Sequence, residues 1–203
     1  MYISRKLICG VFIVCLYACT HQSAAKSSFV QMITDTAISH LPFNEIDFSR
    51  ETSRKLNLPN IINGVDIFEH RIWMSSMVSP SILRIVKFEE GDWFVLNYHY
   101  YNGHEGVDSS KMERMPYPYG IERVVSMLSS DSILNLLSQV AIPGFVDNVA
   151  DGHTITIEIT TRKYYKALQY HCPERYPREP NNQRFVQLVK FLDGYFQFYF
   201  PFC

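Results

Sequence analysis

Alternation of apolar and polar residues marks several strands in the middle and second half of the chain. The clearest case is residues 154–161, in which Ile155, Ile157 and Ile159 alternate with threonines and Glu158. This period of two places the three isoleucines on one face of a strand. Shorter runs rich in β-branched and aromatic residues predict further strands at 66–74, 82–88, 93–100, 121–127 and 164–172.

A period of three to four residues predicts helices elsewhere in the chain. The last helix is expected at 181–193, where Gly194 is a suitable end. Its apolar stripe consists of Phe185, Leu188, Val189 and Leu192. Residues 130–140 carry a similar stripe, and residues 29–40 predict a short first helix.

Two stretches lack a clean period and are predicted to be loops. Residues 43–65 mix charge with Asn and Pro and favour one helical turn at 49–55, and residues 101–120 combine glycines with prolines. Gly91 lies in a turn of hairpin length between two of the predicted strands. Together these elements predict a single α+β domain. We expect an antiparallel sheet of about five to seven strands, with two or three helices mainly on one face.

The first 18 residues have the layout of an export signal. Arg5 and Lys6 precede an apolar run over residues 7–18, as in secretory signal peptides. The run is about 12 residues long, whereas a membrane-spanning helix needs roughly 20. We therefore expect residues 1–18 to be removed as a signal peptide.

The end of that segment, Leu16-Tyr17-Ala18-Cys19, resembles the cleavage motif of bacterial lipoprotein signal peptides. Tyr17 departs from the small or β-branched residue that is usual at its position. The resemblance implies that Cys19 becomes the N-terminus and carries a thioether-linked diacylglycerol and an N-linked acyl chain. Several acyl chains give stable membrane anchoring where one is marginal.

The mature chain is then expected to consist of a tether and one domain. Residues 19–28 would be the lipidated cysteine and a flexible polar tether, and residues 29–203 have the length of a single domain. Ordinary secretion, with cleavage after Ser23-Ala24-Ala25, is the alternative to lipidation. In both cases we expect an exported protein that faces the periplasm or the cell surface.

Export also changes the interpretation of the cysteines. Cys9 and Cys15 belong to the signal and Cys19 to the anchor, which leaves Cys172 and Cys203 in the folded domain. An oxidising compartment permits a disulfide between these two residues, and two separate thiols are the alternative.

The charge balance argues against nucleic acid as a partner. The 203 residues have a formal net charge of −1, and no basic stripe of the kind that binds phosphate backbones is visible. Acidic residues outnumber basic ones between Phe29 and Ala150. That excess would suit a basic partner, such as a toxin bound by a periplasmic immunity protein, and an ordinary solvated surface is the alternative.

Residues 66–193 resemble a group of uncharacterised bacterial exported lipoproteins. The resemblance rests on the order of the elements and on the segments RIWMSS, SILRIVKFEEGDWFV, DGHTITIEI and YYKALQYHCPERYPREPNNQRFVQLVKFLD. It is a likeness of pattern without a diagnostic motif. It therefore implies an exported α+β protein and contributes no catalytic residues, since fold alone does not imply function.

No catalytic motif with a recognised spacing is present in the sequence. There is no GxSxG, HExxH, GxGxxG, P-loop, paired CxxC or EF-hand pattern, so we assign no catalytic residue and expect no cofactor. One metal site is conceivable at His99, His104 and Glu105, because two histidines and one carboxylate suffice for catalytic zinc. The alternative is a solvated loop beside an aromatic strand.

A second group of residues has the composition of a binding surface. It lies on and just after the last predicted hairpin and comprises Tyr164, Tyr170, His171, Arg175, Tyr176 and Arg178. Tyr and Arg dominate binding hot spots, because they combine large area with directional hydrogen bonds. The alternative is that the tyrosines cover the sheet and that the arginines pair with Glu174 and Glu179.

These observations favour a non-enzymatic envelope lipoprotein. We expect a membrane-bound protein, held by its lipid anchor, that binds another envelope protein or a cell-wall component. A periplasmic immunity or inhibitor protein is the first alternative, and a metal-dependent hydrolase is the second.

Overall fold

The alternating segments of the chain form the strands of one sheet. A computed structural model describes residues 31–33, 45–76, 80–103, 106–117 and 119–197. The strands are β1 (Gln31–Ile33), β2 (Phe68–Ser76), β3 (Ser81–Glu89), β4 (Asp92–Gly103), β5 (Gly106–Met115), β6 (His153–Thr161) and β7 (Tyr164–His171). The helices are α1 (Glu45–Lys55), α2 (Ile121–Leu128), α3 (Asp131–Leu134) and α4 (Pro180–Phe196).

The strands are ordered β1-β7-β6-β2-β3-β4-β5 across the sheet. All neighbours are antiparallel except β1 and β7, which pair in parallel over three residues. Of the helices in the described part of the chain, α1, α2 and α4 are longer than four residues. One mainly antiparallel sheet together with these helices is an α+β arrangement. The predicted single α+β domain is confirmed.

Both predicted hairpins are present. β3 and β4 are joined through Glu90 and Gly91, whose φ angles are 54° and 91°. Two consecutive positive φ values are typical of the type I′ turn, whose twist matches that of the flanking strands. β6 and β7 are joined by a short connection at 162–163.

One face of the sheet packs against α2, α3 and α4. Its isoleucines on β6 are at most 2% exposed, as the alternation predicts. The stripe of α4 contributes Phe185, Leu188, Val189 and Leu192 to this core. Helix α4 begins where the side chain of Glu179 accepts a hydrogen bond from the Asn182 N–H at 2.7 Å, which caps one of the helix's free amide groups.

A buried arginine connects the end of α4 to this face. The Arg84 guanidinium donates to the Phe196 carbonyl at 2.5 Å and to the Asn97 side chain. Burial lowers the pKa of Arg84 to about 10, with Asp193 acting in the opposite direction. The side chain therefore stays charged at neutral pH and complements the negative end of the helix.

The opposite face of the sheet is more polar and is covered by α1 and residues 56–65. Trp73, Leu83, Ile85 and Tyr100 form a small apolar cluster there. Beside it, Glu69, Arg71 and Glu158 are at most 5% exposed. The sheet thus separates an apolar core from a buried polar layer.

The part of the β7 edge that β1 does not cover is closed by two side chains, those of Ser138 and Gln139. The Ser138 hydroxyl accepts from the Gln169 N–H at 3.2 Å, and the Gln139 amide exchanges two hydrogen bonds of 2.8 and 3.0 Å with the His171 backbone. The Gln139 side chain therefore imitates a neighbouring strand. These hydrogen bonds to the Gln169 and His171 backbone protect a strand edge that would otherwise be open to pairing with other chains.

Three sequence predictions in this region need correction. The expected helix at 130–140 is limited to α3, followed by a 3-10 turn at Gln139–Ala141, because residues 138–139 bond to β7. Residues 121–127 form α2 and not a strand, since Ile121, Val124 and Leu128 face the core at a helical spacing. The loop expected at 101–120 contains the end of β4 and the whole of β5.

The first part of the chain also differs from expectation. Residues 31–33 form β1 and not part of a helix at 29–40, and the rest of that prediction lies outside the described residues. Pairing with β7 satisfies backbone groups on both strands, and this tertiary contact outweighs a weak helical propensity. Helix α1 is longer than the single turn expected at 49–55. No helix among the described residues is long and apolar enough to cross a membrane.

Candidate binding groove

The predicted binding surface falls partly on a groove beside the end of β7. The groove lies between residues 142–148 and 175–179 and has a volume of about 520 Å³. We call this feature the binding groove. Its lining includes Ile142, Phe145, Arg175, Tyr176 and Arg178. Three of the six residues predicted from the sequence therefore line one cavity.

A hydrogen-bonded network fixes the wall of the groove. Asp147 Oδ2 lies 2.7 Å from His171 Nδ1, and its other oxygen accepts a hydrogen bond from the Tyr176 hydroxyl. The Tyr176 hydroxyl in turn accepts from the Asn148 N–H at 2.7 Å. His171, a fourth predicted residue, is thus tied to the groove through Asp147.

The network shifts the pKa values of two of its members. Burial alone would raise the pKa of Asp147, but hydrogen bonds from Tyr176, the Val149 N–H and His171 outweigh burial and lower it. Burial and the bond to Asp147 raise the pKa of Tyr176. Asp147 is therefore ionised and Tyr176 neutral at neutral pH, which is the arrangement that holds the wall in place.

The rim of the groove combines aromatic contact with positive charge. The Phe145 and Tyr176 rings meet edge to face, with centroids 4.7 Å apart. Arg175 and Arg178 are exposed, and within the described chain neither forms an ion pair. The pairing with Glu174 and Glu179 that the sequence left open as an alternative is absent there.

Two tyrosines must be removed from the predicted surface. Tyr170 is fully buried and stacks on Phe185 with ring centroids 3.9 Å apart, and its hydroxyl donates to the Leu137 carbonyl. Tyr164 packs against the apolar core and its hydroxyl oxygen is buried. Both belong to the face of β7 that points towards α4, where alternation places Leu168 as well.

The arrangement of Asp147 and His171 does not amount to a nucleophilic site. An Asp–His pair orients the imidazole in catalytic triads, but such a triad also needs a hydroxyl or thiol within hydrogen-bonding distance of the ring. Among the described residues the only hydrogen bond of the His171 ring is to Asp147. Among the described residues Asp147 and His171 are therefore not joined to a third group as in such a triad.

The predicted metal site is only partly within the described chain. His104 and Glu105 lie outside the described residues. His99 lies on β4, with its Nε2 atom 2.7 Å from the Asn97 side-chain nitrogen, so that Nε2 acts as the acceptor. The zinc site remains a prediction.

A different set of potential ligands occurs next to the groove. The ligand atoms of His153, Cys172 and Glu174 lie within 4.8 Å of one another. Cys172, however, is disulfide-bonded, so its sulfur is not a thiolate. His153 and Glu174 alone are one ligand short of the three protein ligands found in catalytic zinc sites.

The electrostatics of His153 also favour a neutral ring. Burial lowers the pKa of His153, Glu174 partly offsets that effect, and His171 lowers the pKa further. The Nε2 atom of His153 lies 3.9 Å from the Oε1 atom of Glu174. The contact is therefore one between a neutral imidazole and a carboxylate at neutral pH.

Two residues at the groove could not be found by reading along the sequence. Asp147, which supports the groove wall, lies 24 positions from His171, and Phe145, which lines the groove, lies in a segment for which the sequence predicted no site. Val146, between them, is 65% exposed. Two consecutive apolar residues after Pro143-Gly144 were the one signal in the sequence.

Several residues predicted from the sequence lie outside the described part of the chain. These include the lipidation site Cys19 and Cys203, the expected partner of Cys172. The Cys172–Cys203 pairing therefore stays a prediction. No family model matches the chain, and neither curated proteins nor solved structures show significant similarity to it, so the resemblance to exported lipoproteins also stays a prediction.

Proposed function

We propose that this protein is a non-enzymatic envelope lipoprotein, anchored through Cys19, that binds an acidic segment of another envelope protein in the binding groove. The anchor would hold the domain at the membrane surface and leave the groove free to engage its partner. The proposal extends the expected protein-binding role to one surface and one kind of partner.

The two exposed arginines carry the proposal. Arg175 and Arg178 flank Tyr176 on a groove wall that the Asp147 network fixes. Arg pairs with carboxylates in a forked, directional geometry, and it is enriched at interface hot spots together with Tyr. An acidic segment would therefore meet positive charge and aromatic area on a surface that is already ordered.

The hydrophobic part of the rim supports a peptide partner. Val146 is 65% exposed and lies next to Phe145, which also lines the groove. A volume of about 520 Å³ lies in the range of pockets that bury a compact ligand or anchor side chain. The partner is thus expected to place one apolar residue in the groove and its carboxylates on the arginines.

Site-specific crosslinking in intact cells tests this proposal. A photoreactive phenylalanine analogue at Val146 is expected to form one adduct with another envelope protein on illumination. Arg175→Glu combined with Arg178→Glu should abolish that adduct. Arg162→Glu is the matched control, because Arg162 lies on the β6–β7 connection and its side chain is 67% exposed.

The site of the adduct decides the outcome. Mass spectrometry should place it in an acidic segment of the partner. An adduct that survives the double charge reversal, or one formed with cell-wall glycan and not with protein, would contradict the proposal. Mass determination of the mature N-terminus after membrane fractionation tests the anchor separately.

A further inference from the structure

A second cavity lies on the polar face of the sheet. It has a volume of about 630 Å³ and is enclosed by α1, residues 57–62 and the strands β2 and β6. Its rim is formed by Arg50, Arg54, Asn57 and Asn60, which are exposed. Its floor is formed by Arg71 and Glu158, which are 1% and 3% exposed. We call this feature the α1 cavity, and it shares no lining residue with the binding groove.

The arginine on the floor is already compensated by the protein. Arg71 Nε donates to Glu69 at 2.7 Å, and the two side chains are 2% and 7% exposed. The other two nitrogens of the guanidinium donate to the Ser53 hydroxyl at 3.0 Å and to the Pro59 carbonyl at 2.8 Å. These contacts fix the guanidinium, and Glu69 neutralises its charge.

The carboxylate on the floor has neutral partners. Glu158 accepts one hydrogen bond from the Tyr165 hydroxyl and one from the Trp73 indole, both at 2.6 Å. Among the described residues no Lys, Arg or His lies within ion-pair distance of it. Burial and the Glu158 charge raise the pKa of Tyr165, so the phenol keeps its proton and remains a donor.

Among the described residues this buried carboxylate has no cationic partner within ion-pair distance. Burying a charge costs free energy unless the charge is paired and hydrogen-bonded. The two oxygens offer about four acceptor positions, of which the protein fills two. Because Glu158 also lines the α1 cavity, a ligand in the cavity could supply the missing positive charge.

We propose that the α1 cavity binds a small zwitterion, an amino acid or short peptide, with its ammonium group on Glu158 and its carboxylate facing Arg50 and Arg54 at the rim. An ammonium group supplies three donors to the acceptor positions that remain on Glu158. Arg54 forms a surface ion pair with Glu51, with side chains 76% and 45% exposed, so it can turn towards a ligand at little cost.

The walls of the α1 cavity suit a ligand with small apolar side chains. Leu58, Ile61 and Ile62 also line the cavity and supply apolar surface. A ligand of this class would therefore meet a carboxylate, apolar side chains and guanidinium groups in one cavity. The site does not depend on the proposed role of the binding groove.

Calorimetric titration of the detergent-solubilised full-length protein tests the ligand class. Three probes differ in one charge each: alanyl-alanine, its N-acetyl derivative without the ammonium group, and its C-terminal amide without the carboxylate. We expect the free dipeptide to bind best. Removing the ammonium group should weaken binding at least about tenfold, because the ligand then leaves a buried charge unpaired.

Two variants test which residue contacts the ammonium group of the ligand and which contacts its carboxylate. Glu158→Gln should abolish the preference for the free amine. Arg50→Glu should reduce the preference for the free carboxylate while affinity for the C-terminal amide is maintained or increased. Arg162→Glu, a charge reversal outside the α1 cavity, should bind all three probes as the unmodified protein does.

The results that overturn the inference are specific. They are the absence of binding for all three probes, equal binding of the acetylated and free dipeptides, or unchanged binding by a Glu158→Gln variant that melts at the same temperature as the unmodified protein. If Glu158→Gln does not fold, the comparison of probes on the unmodified protein and the Arg50→Glu variant decides the question alone.

Discussion

Arg71 and Glu158 lie directly opposite each other on β2 and β6, but the ion pair of Arg71 is made with Glu69, two residues away on its own strand. Tyr165 and Trp73 hold Glu158 in place. The two buried carboxylates therefore have different environments. Glu69 compensates an internal charge, whereas Glu158 faces a cavity.

The Glu69–Arg71 pair should be essential for stability. Glu69→Gln removes the charge and leaves the shape, so the Arg71 charge stays buried without compensation. Loss of one partner of a buried pair costs roughly 3 kcal/mol or more. Urea denaturation should show this decrease in the free energy of unfolding.

A surface pair provides the control for that experiment. Lys87 and Glu89 are bonded at 2.5 Å, but their side chains are 26% and 55% exposed. Glu89→Gln should therefore change the free energy of unfolding by less than about 1 kcal/mol. Equal effects of Glu69→Gln and Glu89→Gln would show that the buried pair contributes no more than a surface pair.

His70 should make the protein sensitive to mild acid. Its ring is fully buried on the apolar face, and neither ring nitrogen has a hydrogen-bond partner among the described residues. Burial lowers the pKa of His70 to about 3, from an ordinary value of 6.5. Between these values the unfolded chain binds a proton that the folded chain does not, so stability falls as the pH falls.

The decrease in the free energy of unfolding per pH unit can be measured. One proton of difference corresponds to on the order of 1 kcal/mol per pH unit. His70→Leu should remove this component, so its stability should exceed that of the unmodified protein increasingly as the pH falls below about 6. Urea denaturation at several pH values measures the free energy of unfolding of both proteins. If the two dependences on pH are parallel, His70 is not the source of the acid sensitivity, since all other histidines are shared.

The strongest periods in the sequence were sufficient to predict their elements. Residues 154–161 and 181–193 appear as β6 and α4 with boundaries shifted by one to three residues. Strand β5 could not be predicted, because residues 111–114 are exposed and carry no alternation. Its backbone pairing with β4 forms the strand, and that contact is invisible along the chain.

The residues of the candidate sites could likewise be predicted only where the pattern along the chain shows them. Arg175, Tyr176 and Arg178 could be grouped from the sequence because they are neighbours in it. Glu158 was expected merely as a polar position between isoleucines, and only the packing of α1 on that face makes it a buried carboxylate beside a cavity. Asp147 reaches His171 through a loop whose path depends on tertiary packing.

The closure of the β7 edge by Gln139 should be measurable by hydrogen exchange. Gln139→Ala removes both hydrogen bonds to the His171 backbone, and we expect the His171 amide to exchange faster. The loss should cost on the order of 1 kcal/mol, because two hydrogen bonds to partly buried backbone groups are removed. Val140→Ala, at a neighbouring position that is 43% exposed, should leave that amide protected. Unchanged exchange in Gln139→Ala would show that the edge does not depend on this side chain.

Cys172 is disulfide-bonded, and we predict that its partner is Cys203. Cys9 and Cys15 are expected to leave with the signal, and lipidation would occupy Cys19. Mass spectrometry of unreduced peptides should therefore link the Cys172 peptide to the Cys203 peptide. A link to another cysteine would contradict the prediction and also the lipidation of Cys19 if that residue were involved.

The same disulfide should stabilise the folded domain. Closing a loop of about 30 residues contributes roughly 3 kcal/mol in the chain-entropy model, so reduction should lower the melting temperature. Cys172→Ser and Cys203→Ser should each lower it by the same amount, and the double substitution should add nothing, because either one removes the whole crosslink. Additive effects of the two substitutions would show that the cysteines are not paired with each other.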